Sequence, residues 1–452
     1  MKNSNIKVRL ATMNFMEFAV WGAYLISMGM YLASNGLGDY VFWFYTVQGL
    51  VSIVMPALIG IVADRWIPAQ RTLSLCHLLA GLFMIATGVV AARSMASDNT
   101  LSFGPMFTLY TVSVAFFMPT IGLSNSVAFN GLEKHGLSTV TDFPPIRVFG
   151  TVGFICAELF VNFVSFGGVE VQHSHTQFYV SGALSLILAA YSLTLPGSPV
   201  NRGSGRSIAD ALGLKAFTLF RRKDMAVFFI FSMLLGVSLQ ITNSYGSTFI
   251  YHFNAVPEYA GGFWARNPTF LISISQCAEA LCILLIPFCL KRYGIKGVML
   301  IAMFAWVLRF GFFGIGNTAP AGVPFLILSC IVYGVAFDFF NVSGGLYVDA
   351  QTNTAQRSSA QGLFMLMTNG IGASLGTIIA GSCVVNKLVF APGLDATDQL
   401  DGWRTSWFIF AAYALVVGVL FMLIFKERKT SGKTPGQAAG NTDAGGMIEN
   451  DL

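Results

Sequence analysis

Long apolar runs, separated by short polar segments, occupy most of the chain. Twelve of these runs have the roughly 20 residues that an α-helix needs to cross a bilayer. They are 8–33, 40–63, 72–92, 102–129, 145–167, 176–196, 224–252, 267–290, 296–316, 323–348, 357–384 and 403–425. No run shows the alternation of a membrane β-barrel strand. The pattern predicts an all-α polytopic membrane protein with twelve transmembrane helices.

The basic residues concentrate in alternate connections between the runs. Of the 26 lysines and arginines, Arg147 and Arg309 fall at helix depth. If the N-terminus is cytoplasmic, outer connections hold only Arg93, Arg266, Lys387 and Arg404, and the remaining 20 lie in or beside cytoplasmic segments. Because basic residues stay on the cytoplasmic side of a membrane, both termini are predicted to be cytoplasmic.

Composition supports a membrane protein and narrows its function. The chain is 55% hydrophobic and 10% charged, with a mean hydropathy of +0.67, whereas soluble domains carry about 25% charged residues. The net charge of +5 follows from the topology, so no nucleic-acid partner is predicted. No phosphate-binding loop, zinc or disulfide cysteine spacing or nucleophile–base pair is found. We therefore expect no cofactor, no metal and no enzymatic activity.

The longest inner connection divides the chain into two halves. The predicted units are an N-terminal six-helix bundle at 1–196, a cytoplasmic linker with an amphipathic helix at 197–223, a C-terminal six-helix bundle at 224–428 and a disordered cytoplasmic tail at 429–452. GIVADRWIPAQR, at 60–71, and the weaker PFCLKRYGIK, at 287–296, follow the second helix of each half. This resembles the loop signature of the major facilitator superfamily, and the residues that carry it are Gly60, Asp64, Arg65 and Arg71.

The run at 323–348 contains an aspartate between two phenylalanines. A carboxylate at helix depth costs about 2.5–3.5 kcal/mol on insertion scales, so it usually faces a bundle interior or a water-filled cavity. At 100° per residue, Tyr333, Phe337, Asn341 and Asp338 share one broad helix face. This face combines an aromatic wall, an amide and an acid.

Three other helices also carry polar residues on one face. Gln240 and Asn243 are three residues apart, as are Gln276 and Glu279, and pairs at that spacing face the same way. Such pairs can also serve only to hydrogen-bond neighbouring helices. Arg147, Thr151 and Phe154 share a face of the helix that begins with TDFPPIR, although Arg147 can equally snorkel to the interface.

The chemistry of these faces favours a neutral ligand with hydroxyl groups and a flat ring. Carboxylates accept hydrogen bonds from hydroxyls, amides donate and accept, and aromatic faces stack on planar rings. A dianionic phosphate would need more basic residues than these faces offer.

Five segments together identify a closer resemblance. TDFPPIR (141–147), FSMLLG (231–236), LQITN (239–243), AFDFFN (336–341) and SAQG (359–362) resemble the bacterial nucleoside:proton symporters of the major facilitator superfamily. The resemblance covers nearly the whole chain. It implies proton-coupled uptake of purine and pyrimidine nucleosides across the inner membrane, with nucleoside, protons and the bilayer as partners and no obligate protein partner.

The resemblance also assigns a nucleoside site. The matching residues are Arg147, Thr151, Phe154, Gln240, Asn243, Gln276, Glu279, Tyr333, Phe337 and Asp338. Because protonatable acids in an apolar setting can carry protons, Glu279, Asp338 and Glu17 are candidates for proton coupling.

Three charged residues depart from the expected pattern. Glu17 is either a second cavity acid or a helix-packing polar group, and Glu158 is interpreted as packing or as the partner of an unidentified donor. A structural ion pair is expected for Arg309. A sugar or drug transporter of the same fold, and a non-transporting receptor, remain alternatives to nucleoside uptake.

Overall fold

The computed structural model describes residues 2–197, 214–352 and 357–426. These residues are almost entirely helical, with one hairpin in which β1 (Ser165–Phe166) pairs with antiparallel β2 (Val169–Glu170). The helices before the long connection are α1 (Lys2–Gly22), α2 (Met28–Leu32), α3 (Val41–Arg65), α4 (Ala69–Asp98), α5 (Phe103–Lys134), α6 (Thr139–Phe163) and α7 (Thr176–Ser192). Those after it are α8 (Lys223–His252), α9 (Phe263–Arg266), α10 (Pro268–Cys282), α11 (Ile286–Ile315), α12 (Val323–Gln351), α13 (Arg357–Met365), α14 (Ala373–Ile379), α15 (Asn386–Leu388) and α16 (Ala396–Ile424).

Each of the twelve predicted runs is helical over most of its length. Nine helical segments of the described chain are long and apolar enough to cross a membrane. One of them, Pro268–Ile315, holds two predicted runs and turns at Gly294, whose φ of 68° is left-handed. The runs 8–33 and 176–196 coincide with α1 plus α2 and with α7. The predicted all-α polytopic membrane architecture is confirmed.

The first predicted run is not one continuous helix. It is interrupted between Gly22 and Met28, where backbone groups lose their regular partners. Tyr45 supplies two of the missing bonds, because its hydroxyl donates to the Leu25 carbonyl at 2.6 Å and accepts from the Gly29 N–H at 3.1 Å. Backbone groups at membrane depth need such internal partners, since lipid offers none.

Helix α6 begins earlier than its two prolines suggest. Ser138 caps the helix by accepting from the Thr141 N–H at 3.4 Å, and Asp142 accepts in return from the Ser138 N–H at 2.9 Å. This reciprocal capping gives hydrogen-bond acceptors to two backbone N–H groups that have no carbonyl partner at the start of a helix. Pro144 and Pro145 therefore lie inside the helix and not at its start.

The predicted linker and loop motif are only partly described. Residues 198–213 and the predicted tail 429–452 lie outside the described residues, and Leu214–Arg221 forms a short 3-10 helix. Gly60 and Arg71 lie beside the three-residue connection between α3 and α4. The side chains of Asp64 and Arg65 lie outside the described part of the chain.

The helices pack as two groups, α1–α7 and α8–α16. Within the first group α1 packs on α6, and α4 packs on α5 and α7. Within the second, α11 packs on α12 and α16, and α10 packs on α12. Contacts between the groups include three helix pairs, namely α2 with α8, α6 with α10, and α3 with α14. We call these three contacts the seam.

The bundle has an N end, where α1 begins, and a far end, where α1 finishes. At the far end, Asn162 donates to the Asn267 side-chain oxygen at 2.7 Å and accepts from the Phe270 N–H at 3.0 Å, which joins α6 to α10. Asn386 donates to the Asp39 carbonyl at 2.8 Å, which joins α15 to the start of α3.

A histidine in the connection after β2 also bridges the two groups at the far end. The His173 ring packs on Tyr251 with centroids 4.7 Å apart. Burial lowers the pKa of His173, so the contact is made by the neutral imidazole at ordinary pH.

Polar bonds at the N end join helices of the same group. Lys7 pairs with Asp142 at 2.6 Å, between α1 and α6. Arg222, next to α8, donates to the Gln351 carbonyl at 2.9 Å. Lys296 on α11 donates to the Phe425 carbonyl at 2.6 Å. These bonds brace each group by itself.

Candidate functional site

Helices α6 and α10 bring two predicted residues of opposite charge together across the seam. Arg147 interacts electrostatically with Glu279, and both side chains are partly exposed. The guanidinium carbon of Arg147 also lies 4.0 Å from the centre of the Phe18 ring, within cation–π range. Arg147 is therefore held between an aromatic face on α1 and a carboxyl group on α10.

A glycine lets α12 approach α10 at the same level. A Cβ on Gly334 would lie 2.6 Å from the Ala278 carbonyl and 2.7 Å from the Glu279 nitrogen, closer than real Cβ contacts allow. The close approach places Tyr333 and Asp338 within electrostatic range of Glu279. One oxygen of Asp338, which is 6% exposed, has no hydrogen-bond partner within the described residues.

The aromatic wall predicted on α12 is present. Tyr333 and Phe337 are stacked, with centroids 5.8 Å apart and planes within 9°. Trp306 meets Tyr333 edge-on at 5.9 Å. Phe337 lines a small crevice together with Asn341, so the amide predicted on this face lies beside the ring.

Arg309 supports this wall from α11. It is fully buried, and its guanidinium lies 4.9 Å from the Tyr333 ring centre and 4.7 Å from that of Phe313. It donates to the Ser275 hydroxyl at 3.1 Å and to the Ser329 carbonyl at 2.7 Å. Among the described residues no acid pairs with Arg309, and these hydrogen bonds and ring contacts stand in place of the expected ion pair.

The remaining predicted residues lie on the expected helices with different partners. Gln276 is buried, and its side-chain oxygen has no partner in the described part of the chain. Gln240 donates to the Tyr45 carbonyl at 3.4 Å and accepts from Asn243 at 3.4 Å. Phe154 meets Trp21 edge-on at 6.3 Å, and Thr151 is partly exposed on the same helix.

Glu158 belongs to the same face of α6 as Arg147, a relation that the sequence interpretation missed. The two residues are eleven apart, which is about 20° around a helix. Glu158 is fully buried, neither of its oxygens has a partner within the described residues, and it interacts electrostatically with Glu279. A buried acid with open hydrogen-bonding capacity can accept a ligand group or hold a proton.

Glu17 lies in a separate polar cluster within the first group of helices. One of its oxygens is 2.8 Å from His77 Nε2, and the other accepts from the Thr120 hydroxyl at 2.5 Å. The other ring nitrogen of His77 is 3.0 Å from the Ser185 hydroxyl. Glu17, His77, Thr120 and Ser185 are all buried. Sequence interpretation missed His77, because 60 residues separate it from Glu17.

The cluster around Glu279 combines an arginine, three acids, a tyrosine and an amide whose oxygen has no partner among the described residues, beside a stacked aromatic pair. Such a set can bind a neutral, hydroxyl-bearing ring compound and can take up protons. Among the described residues no group of three histidine, cysteine or acidic side chains is placed to hold a metal ion.

Comparison with known proteins gives the family. Residues 4–430 match the family model described as nucleoside H⁺ symporter. A xanthosine permease of Escherichia coli K12 is 44% identical over 425 residues, covering 93% of this chain and 96% of that protein. The nucleoside permease NupG of the same organism is 42% identical over 427 residues, covering 94% and 97%.

Solved structures agree with these relatives. The crystal structure of the nucleoside transporter NupG has a TM-score of 0.83 at 41% identity, covering 94% of this chain and all of that one. A bacterial homologue of the lysosomal transporter Spinster has a TM-score of 0.68 at 14% identity, covering 95% of this chain and 99% of that one. At that identity only the fold is shared.

Proposed function

Because the chain belongs to the nucleoside H⁺ symporter family, we propose that it carries purine and pyrimidine nucleosides into the bacterial cell together with protons. Relatives of this chain are a xanthosine permease and a nucleoside permease, which supports nucleosides as the substrate class. The observation that carries the proposal is the cluster at the seam, where Arg147, Glu279, Tyr333 and Asp338 converge beside the Tyr333–Phe337 stack.

The substrate would bind between the two groups of helices. The flat base suits the aromatic wall of Tyr333 and Phe337, since aromatic faces stack on planar rings. The ribose hydroxyls suit the open oxygen of Asp338 and the amide of Gln276, because both can accept hydrogen bonds. In this arrangement Thr151, Phe154, Gln240 and Asn243 complete the site, with Arg147 and Glu279 across the seam.

The acids of the cluster would carry the coupled protons. Glu279 and Asp338 interact with each other, and two neighbouring carboxylates repel, so the pair favours binding of a proton. Arg147 opposes this by stabilising the charged form of Glu279. A nucleoside that changes the distance between Arg147 and Glu279 would therefore change proton affinity.

Transport would proceed by alternating access between two six-helix halves, which the two packing groups support. At the far end the bonds of Asn162 and Asn386 cross the seam, whereas the N-end bonds of Lys7, Arg222 and Lys296 stay within one group. With both termini in the cytoplasm of an inner-membrane protein, as the charge distribution favours, this conformation is closed to the outside.

Uptake by reconstituted protein tests the proposal. Liposomes holding the full chain should accumulate labelled uridine and adenosine when the outside is acidified, and a protonophore at constant sodium should abolish the accumulation. Accumulation that is unchanged by the protonophore would contradict proton coupling. Uptake of xylose in place of nucleosides would favour a sugar transporter, and binding without uptake would favour a receptor.

A further inference from the structure

We propose that Glu17, His77 and Thr120 form a second proton-binding site, buried within the first group of helices and apart from Glu279 and Asp338. The inference rests on the proposed proton-coupled uptake. Three helices supply the site, with Glu17 on α1, His77 on α4 and Thr120 on α5. All three side chains have no exposed surface.

The hydroxyl of Thr120 offers two alternative positions for its hydrogen. Its oxygen lies 2.5 Å from Glu17 Oε1 and 2.6 Å from the Phe117 carbonyl oxygen. A hydroxyl carries one hydrogen, and a carbonyl can only accept. When Glu17 is a carboxylate, the Thr120 hydrogen points to Oε1. When Oε1 carries a proton, it donates to the Thr120 oxygen, and the Thr120 hydrogen turns to the Phe117 carbonyl.

The imidazole of His77 is held in one orientation by Ser185. The Ser185 oxygen lies 2.9 Å from the His77 carbonyl oxygen and 3.0 Å from His77 Nδ1. When the Ser185 hydroxyl donates to the carbonyl, its oxygen accepts from His77 Nδ1–H. The second nitrogen, Nε2, then faces Glu17 Oε2 at 2.8 Å. A hydrogen must lie between these two atoms, since two facing lone pairs would repel.

With the Ser185 hydroxyl donating to the His77 carbonyl, these bonds leave Glu17 Oε1 as the position where a proton can be added or removed. The proton between Oε2 and Nε2 is present in both states, and the exchangeable proton binds a lone pair of Oε1. Uptake turns the Thr120 hydroxyl toward Phe117, and release turns it back toward Glu17. In both states each of these polar hydrogens has a hydrogen-bond acceptor. The site can therefore change its charge by one without moving a heavy atom.

Arg147 connects this site to the nucleoside site. It interacts electrostatically with both Glu17 and Glu279. Glu17 also interacts electrostatically with the Cys76 thiol on α4. When Oε1 binds a proton, the cluster becomes more positive by one charge. Arg147 is then less attracted toward α1, and its attraction to Glu279, already the stronger of the two, dominates further.

Glu17→Gln separates proton coupling from nucleoside binding. In liposomes the variant should still exchange internal for external uridine, which needs no proton gradient, but an imposed gradient should drive less accumulation than in the wild type, because only the site at Glu279 and Asp338 remains. If the variant accumulates uridine as the wild type does, the inference is overturned. If the wild type itself shows no gradient-driven uptake, the proposed function fails first.

Thr120→Val keeps the test decisive if Glu17→Gln does not fold. Valine has nearly the shape of threonine but removes the bond to the Glu17 carboxylate, and bonds to charged groups are the stronger ones. The pH of half-maximal accumulation should therefore rise by about one unit. The matched control is Thr87→Val, because buried Thr87 donates only to the Phe83 carbonyl of its own helix at 2.9 Å. An unchanged pH profile in Thr120→Val overturns the inference.

Discussion

Asp338 shows how a single residue can be tested for a role in the site. It is almost fully buried, has one oxygen without a partner among the described residues, and faces Glu279. Asparagine would keep its shape and lose a charge-assisted acceptor, which contributes about 1.5–3 kcal/mol. We expect Asp338→Asn to lower uridine affinity roughly tenfold or more, as measured by calorimetry on purified protein.

A ligand without ribose hydroxyls is the control for this variant. 2′,3′-Dideoxyuridine should lose less affinity than uridine on the change to asparagine, because it makes fewer hydrogen bonds to the residue. Equal losses for the two ligands would remove Asp338 from the ribose site and leave it as a proton carrier or a bridge between helices.

The sequence alone carries part of this residue-level information. Helical spacing puts Tyr333, Phe337 and Asp338 on one face, because the position of each is fixed by its neighbours on the same helix. The same spacing could have added Glu158 to the face of Arg147. The contact between Glu17 and His77 could not be found this way, since it depends on how α1 and α4 pack.

The close contact between α10 and α12 gives a prediction at the level of the element. Gly334→Ala would put a Cβ 2.6 Å from the Ala278 carbonyl, and backbone cannot yield as a flexible side chain can. The helices must then separate, which moves Tyr333 and Asp338 away from Glu279. We expect a lower midpoint of thermal unfolding and weaker uridine binding, measured on the same preparation.

Gly345→Ala is the matched control on the same helix. A Cβ there would meet the Gln361 side chain at 3.6 Å, an ordinary contact. Since alanine is about 1 kcal/mol more favourable than glycine in a helix, this variant should be at least as stable as the wild type. Equal behaviour of the two variants would mean that the contact at Gly334 does not hold the site together.

Hydrophobic patterning predicts the helices better than their breaks. Runs of about 20 apolar residues are expected to be helical in lipid, and all twelve are largely helical. The interruption between Gly22 and Met28 depends on the hydroxyl of Tyr45, which belongs to α3. The early start of α6 depends on local capping by Ser138 and Asp142, a signal present in the sequence but masked by the prolines that follow.

The far end of the seam leads to a prediction about the whole molecule. Asn162, on α6, caps α10 from across the seam, because the N–H of Phe270 is one of the unsatisfied donors of a helix start. Removing it leaves that donor and the side-chain oxygen of Asn267 without these partners, at a cost of about 1–3 kcal/mol if they stay buried. We expect Asn162→Ala to open the far end more often, seen as faster deuterium exchange in residues 253–267.

Asn130→Ala is the control for an effect of losing any asparagine. Its side chain donates to the Ser126 carbonyl of its own helix at 2.9 Å, near the N end of the bundle. Exchange in residues 253–267 should match the wild type in this variant. If Asn162→Ala also matches the wild type, the bond across the seam does not keep the far end closed.

The three seam contacts are related by a twofold symmetry of the chain. Each predicted run of the first half has an equivalent six runs later in the second half. When equivalent runs are exchanged, the α6–α10 pair becomes the α14–α3 pair, and the α2–α8 pair is exchanged with itself. Under the same exchange the position of Asn162, near the end of α6, corresponds to that of Asn386, at the start of α15. The cluster around Glu279 has no such counterpart among the described residues, because its arginine, acids and aromatic stack lie on one side of the axis. In the proposed mechanism the closing movement is shared by two equivalent arms, while recognition belongs to one, so we expect substitutions on the other arm to tune the rate of closure without altering what is bound.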